Sequence, residues 1–130
     1  MQLRIVTPLR PLVDAEVSEL VAPGSEGEFG VLPRHVTFLA SLKPGVLAWT
    51  EGAVRKRVVV SGGYAEVRQD VVTILADDAQ FPEEVDSARA RNDVVALQEE
   101  LARGSDSPEV TGKLLRDLGL AEARASLAAS

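Results

Sequence analysis

Turn residues recur through residues 1–84 at a spacing that leaves room for little except short strands. Pro23-Gly24, Pro44-Gly45, Glu51-Gly52, Gly62-Gly63 and Arg68-Gln69-Asp70 punctuate the chain. Between them lie LRIVT, RPLVDAEVSELVAPG, GEFGVL, VTFLASL, GVLAWT, VRKRVVV, GYAEVR and VVTILAD, which are rich in β-branched side chains. Turns roughly 8–12 residues apart send the chain back on itself, which predicts an all-β sandwich or barrel. VRKRVVV, SGG and YAEVR read as one hairpin, with Gly62 and Gly63 supplying positive φ. YAEVRQDVVTILA reads as the next.

The rhythm changes at Pro82, and the rest is rich in Ala, Leu, Glu and Arg. Ala90, Val94, Leu97 and Leu101 fall on one face of a helix. Asp86 and Ser87 are its N-cap candidates, and Gly104 is its stop. Ser107 and Pro108 restart a helix whose stripe is Val110, Leu114, Leu118, Ala121, Ala125 and Ala128, with Gly119 inside it. The expectation is a β domain over residues 1–84 and an antiparallel two-helix hairpin over residues 85–130. Because the second stripe ends in alanines, which bury little apolar area, the hairpin is expected to be held loosely.

Composition removes several function classes. There is no cysteine and one histidine, His35, so thiolate catalysis and Cys- or His-rich metal sites are excluded. The net charge of −6 argues against a nucleic-acid partner and against electrostatic docking on anionic lipid. No apolar run reaches the roughly 18 residues that would span a bilayer, and the first residues lack a signal-peptide pattern, so the reading is an intracellular chain. Ser61 in VSGGY lacks the elbow pattern of a nucleophilic serine. Asp77-Asp78 and Glu83-Glu84 are neighbours that point apart on an extended chain. GSEGEFG has neither a P-loop ending nor a dinucleotide-binding order. No catalytic residue and no metal site emerge. The unusual feature is GSEGEFGVLP at residues 24–33, where Phe29, Val31 and Leu32 stand among three glycines. Such a segment either folds back on its own core or is held for another protein.

PGSEGEFGVLPRH at residues 23–35 resembles the signature segment of the epsilon subunit family of F-type ATP synthases. LRIVTP, LKPGVL and VSGGYAEVRQDVVTILAD are similar to other segments of that family, in its order, and VDSARA resembles its hydrophobic-Asp-x-x-Arg-Ala motif. The resemblance implies a ten-stranded β-sandwich followed by two antiparallel helices. It implies a non-catalytic rotor subunit on the central stalk of a proton-translocating enzyme, peripheral on the cytoplasmic side of the bacterial cell membrane. The implied partners are the gamma subunit, the c-subunit ring and, through the helices, the alpha and beta catalytic subunits.

The resemblance also implies roles for particular residues. Glu28, Phe29, Val31, Leu32 and His35 would contact gamma or the c-ring, with inward packing of one or two apolar residues left open. Lys113, Arg116 and Arg124 would form an inhibitory basic face, away from the Val110-Leu114-Leu118 stripe and diluted by Glu109 and Asp117. Some family members bind ATP as a regulatory ligand near the motif that Asp86 and Arg89 match; here Gln80 and Phe81 stand where those members carry an acidic residue. The other reading of Asp86 is a helix cap. The alternative to a rotor subunit is a stand-alone ATP-sensing β module with a helical lid.

Overall fold

The computed structural model describes residues 1–128. Ten strands come first: β1 (Gln2–Val6), β2 (Pro11–Glu16), β3 (Glu19–Gly24), β4 (Gly27–Val31), β5 (Phe38–Leu42), β6 (Gly45–Glu51), β7 (Val54–Val60), β8 (Gly63–Arg68), β9 (Val71–Ala76) and β10 (Ala79–Gln80). A 3-10 turn (Pro82–Glu84) leads into α1 (Ser87–Arg103) and α2 (Pro108–Ala128). The strand order is β10-β7-β6-β3-β5-β8-β9-β1-β2, with β4 also on β3. All pairings are antiparallel except β1 with β9.

β3 meets β5 at one register pair only, Gly24 with Leu42. That narrow seam lets the sheet fold into two facing halves. Leu20, Leu47, Trp49, Val58 and Val60 from one half meet Leu3, Ile5, Ala65, Val67, Val72 and Ile74 from the other in a single buried cluster. Each strand contributes alternate residues, as the pleat requires. The first residue is built into this body: the Met1 ammonium, almost wholly buried, donates to Glu16 Oε1 at 2.7 Å and to the Val17 carbonyl at 3.1 Å.

Three sequence expectations change here. RPLVDAEVSELVAPG is two strands, β2 and β3, parted at Val17-Ser18 without glycine or proline. β7 and β8 do not form a hairpin; β7 pairs with β6 and β10, whereas β8 pairs with β5 and β9. Ser61-Gly62-Gly63 is therefore a crossing from one half-sheet to the other. Gly63 is needed for close approach, since a Cβ there would lie 2.1 Å from the Leu75 carbonyl oxygen.

The third change concerns the helices. Asp86 is the N-cap of α1, its carboxylate accepting from the Arg89 amide at 3.1 Å. Gly104, with φ of 77°, ends α1, and Ser107 Oγ accepts from the Val110 amide at the start of α2. In α2 the anticipated stripe is only partly covered: Val110 is exposed, Leu114 and Leu118 are half-buried, and Ala121 is buried. The side chain of Ala128 lies outside the described residues. The face that docks on the sheet is instead Leu120, Ala123 and Leu127, packed on Val46, Val59 and Val85. Leu127 is 0% exposed, so the contact has a large apolar anchor rather than alanines alone.

Leu127→Ala is expected to weaken the docking by roughly 2–5 kcal/mol. Amide exchange should then quicken through α1 and α2 while the core strands keep their protection. Gly119→Ala adds a methyl where no atom stands within 4 Å, and should raise the stability of α2 by about 1 kcal/mol in thermal melts.

Candidate interaction site

The segment at residues 24–33 becomes the end of β3, a two-residue turn at Ser25-Glu26, and β4. Register sorts its side chains. Val31 faces Leu20 and Phe29 faces Ala22, both core residues of β3, so Val31 and Phe29 point inward while Glu28 points out. Val31 is 1% exposed and belongs to the core, which removes it from the partner-facing set. Phe29 is half-buried at the rim, with its ring edge-on to Phe38 at 5.2 Å between centroids. It also occupies the space beside Gly24, where a Cβ would lie 2.8 Å from the ring.

Beyond β4 the chain makes a turn, with the Leu32 carbonyl accepting from the His35 amide at 3.1 Å. His35 lies 5.0 Å from the Phe38 ring, and its Nδ1 is 2.8 Å from the Val36 carbonyl oxygen. Leu32 is 60% exposed, Val36 73% and Leu39 71%. Leu32 and Val36 lie on the turn and loop that carry His35, and Leu39 follows Phe38 in β5. Beside them, between the β3–β4 turn and β5, opens a cleft of about 520 Å³. Of the residues singled out from the sequence, Glu28 and Phe29 line this cleft, and Leu32 and His35 belong to the turn that follows β4; Val36 and Leu39 were missed. The outward direction of Leu39 depends on the β5 register, in which it faces Glu66 on the outer surface of β8.

A second feature lies at the root of the hairpin. Gln80, Glu84, Asp86, Arg89, Asp93 and Arg124 line a cavity of about 300 Å³. Asp86 and Arg89 thus come together as their motif suggests, joined by Arg124 from α2. Arg124 Nε donates to Gln80 Oε1 at 2.7 Å. The anticipated basic face is therefore divided. At about 100° per residue Lys113, Leu120, Arg124 and Leu127 fall in one sector, so the cationic sector is continuous with the docking face. Lys113 pairs with Asp117 at 2.7 Å on the exposed end of α2, near Arg116, while Arg124 is turned to the β domain.

The linker into α1 is clamped. Arg10 Nη2 donates to both oxygens of Glu84 at 2.8 Å, and the Phe81 amide donates to Glu84 Oε1 at 3.0 Å. The Arg10 guanidinium also lies 6.0 Å from the centroid of the Phe81 ring. The Phe81 amide first, and Arg10 second, hold the Glu84 carboxyl below its ordinary value of 4.5. Such a group stabilises the fold above its unfolded value, and that stabilisation is lost as pH falls through the lower folded value. Glu84→Gln is therefore expected to shrink the loss of stability on acidification below about pH 4.5, read from denaturant melts at stepped pH.

Among the described residues no group of three or more His, Asp or Glu is arranged to hold a metal, and no helix is long and apolar enough to cross a membrane. The geometry is that of a β body with a two-helix arm docked on it. The family model for the ATP synthase Delta/Epsilon chain, beta-sandwich domain, matches residues 1–82. The ATP synthase epsilon chain of Syntrophobacter fumaroxidans is 44% identical over 85% of this chain and 83% of its own length. That of Pelotomaculum thermopropionicum is 45% identical over 78% and 76%. A chain of the Euglena gracilis mitochondrial ATP synthase superposes with a TM-score of 0.78 at 29% identity, covering 93% of this chain and 76% of that one. A chain of the central stalk/c-ring structure of the Tetrahymena thermophila mitochondrial ATP synthase, at 15% identity and a TM-score of 0.70 over 98% of this chain and 95% of that one, shares the fold. A β-sandwich carrying two C-terminal helices thus recurs among ATP synthase subunits. The chain belongs to the ATP synthase epsilon chain family.

Proposed function

We propose that this chain is the non-catalytic central-stalk subunit of a proton-translocating F-type ATP synthase. The β domain binds the gamma subunit and the c-subunit ring, passing ring rotation to the nucleotide sites. It stays peripheral on the cytoplasmic face of the bacterial membrane, held there by partners. The observation that carries this reading is the exposure of Leu32, Val36 and Leu39 on the short segment that also holds His35 and Phe38. Exposed leucines and valines grouped this way form a surface whose apolar area a partner would remove from water.

The helical hairpin restrains ATP hydrolysis when it leaves the sheet and presents Lys113, Arg116 and Arg124 to acidic groups on the catalytic subunits. Arg124 shares a sector with Leu120 and Leu127, so it reaches a partner only after α2 undocks. Inhibition therefore competes with docking, and Asp117 next to Lys113 weakens it further. Removal of residues 106–130 is expected to raise ATP hydrolysis by the reassembled enzyme, measured at saturating ATP. Unchanged hydrolysis would remove the restraining role.

A second reading is favoured by the cavity at the hairpin root: ATP as a regulatory ligand, with Arg89 and Arg124 on its phosphates. Asp86, Asp93 and Glu84 line the same space, and Asp86 is occupied as a helix cap. These carboxylates oppose a polyphosphate, so the expected binding is weak. Calorimetry on the isolated chain should show heat only toward millimolar ATP, abolished by Arg89→Ala; no heat at that concentration would end this reading.

A further inference from the structure

The turn that presents Leu32 and His35 is built with Pro33 in a position it favours and Arg34 in one it does not. Pro33 stands second in it and Arg34 third, with φ of 67° at Arg34. A proline, whose φ is fixed near −65°, followed by a residue of positive φ defines a type II turn. The third position of that turn is suited to glycine. An arginine there is disfavoured by a factor of roughly 5 to 30.

What offsets this comes from 36 residues further along the chain: Asp70 Oδ1 accepts from the Arg34 amide at 2.9 Å. At an exposed site such a bond favours the bonded conformation by a factor of roughly 2 to 10. The two factors are of similar size, so the bond decides how often the turn is formed. Asp70 is itself well fixed. It lies in the two-residue turn Gln69-Asp70 between β8 and β9, with φ of 52° and 64°. Its carbonyl accepts from the Gln2 amide at 3.0 Å. Its Oδ2 lies 3.9 Å from the Met1 ammonium, whose nearer partner is Glu16.

We infer that Asp70 is the positioning residue of the docking rim: by holding Arg34 in the left-handed conformation it sets how Leu32 and His35 are presented to the stalk. The inference rests on the docking reading proposed above. A partner that recognises the formed turn binds more weakly in proportion to the fraction of chains in which the turn is lost.

The test is titration of the full chain onto whole ATP synthase, c-ring included, stripped of its epsilon subunit, with melting curves for every variant. Asp70→Gly keeps the positive φ of the β8–β9 turn but loses the carboxylate, and should lower affinity roughly 2- to 10-fold. Asp70→Asn retains an acceptor oxygen and should bind as the unaltered chain does. Adding Arg34→Gly to Asp70→Gly should restore affinity, because glycine takes this conformation without penalty. Unchanged binding by Asp70→Gly, or no recovery in the double variant, overturns the inference when Leu32→Asp does lose affinity. If Leu32→Asp binds normally, the docking reading itself fails. Should Asp70→Gly unfold, hydrogen exchange at the Arg34 amide of the unaltered chain decides: slow exchange supports the inference, and exchange at the rate of an unstructured peptide overturns it.

Discussion

The apolar faces of two half-sheets are buried against one another, and the other features are arranged around that contact. The halves share one continuous sheet, yet at the β3–β5 seam they are held by a single register pair. Across the seam the sheet can bend sharply enough for Trp49 and Leu47 to meet the residues of β1 and β9. Closure in this way dictates which residues remain outside. Val31 is drawn inward by Leu20, and Leu39 is left facing water by its pairing with Glu66. The exposed apolar residues there are thus a by-product of register: those that cannot reach the core are left facing water.

β6 and β7 together carry the link between this body and the helices, through Val46 and Val59. Val58 and Val60 enter the core, while Val59 points the other way and is covered by α2; all three are buried. A strand apolar on consecutive residues is one covered on both faces. One strand therefore serves two interfaces, and the docking of α2 depends on a surface that the core has already fixed.

An all-β body was legible because glycine and proline mark most of its bends, whereas its ten strands were an implication of the family resemblance; α1 was legible from its cap, its stripe and Gly104. Gly62-Gly63 misled because paired glycines serve equally a tight hairpin and a close crossing, and only the position of the Leu75 carbonyl separates the two. The β2–β3 break at Val17-Ser18 carries no punctuation at all. In α2 the docking leucines share a sector with Lys113 and Arg124, so charge masked the apolar face; the run Val58-Val59-Val60 was the available clue that something covers the outside of β7. For the rim, the sequence named the segment, but side chain by side chain only strand pairing could separate Val31 from Leu32. Asp70 and Arg34 lie 36 residues apart and no local pattern joins them.

The fork of Arg10 onto Glu84 has a mechanical consequence. It fastens Phe81 through Glu84 to the β1–β2 loop, so those residues travel with the sandwich. Between them and the first turn of α1 lie only Val85, packed against α2, and Asp86, the cap of α1, each with extended backbone. Any swing of the arm is then articulated at two joints, like a short knuckle rather than a slack cord, and the arc that α1 and α2 can sweep is set by the torsions of a valine and an aspartate.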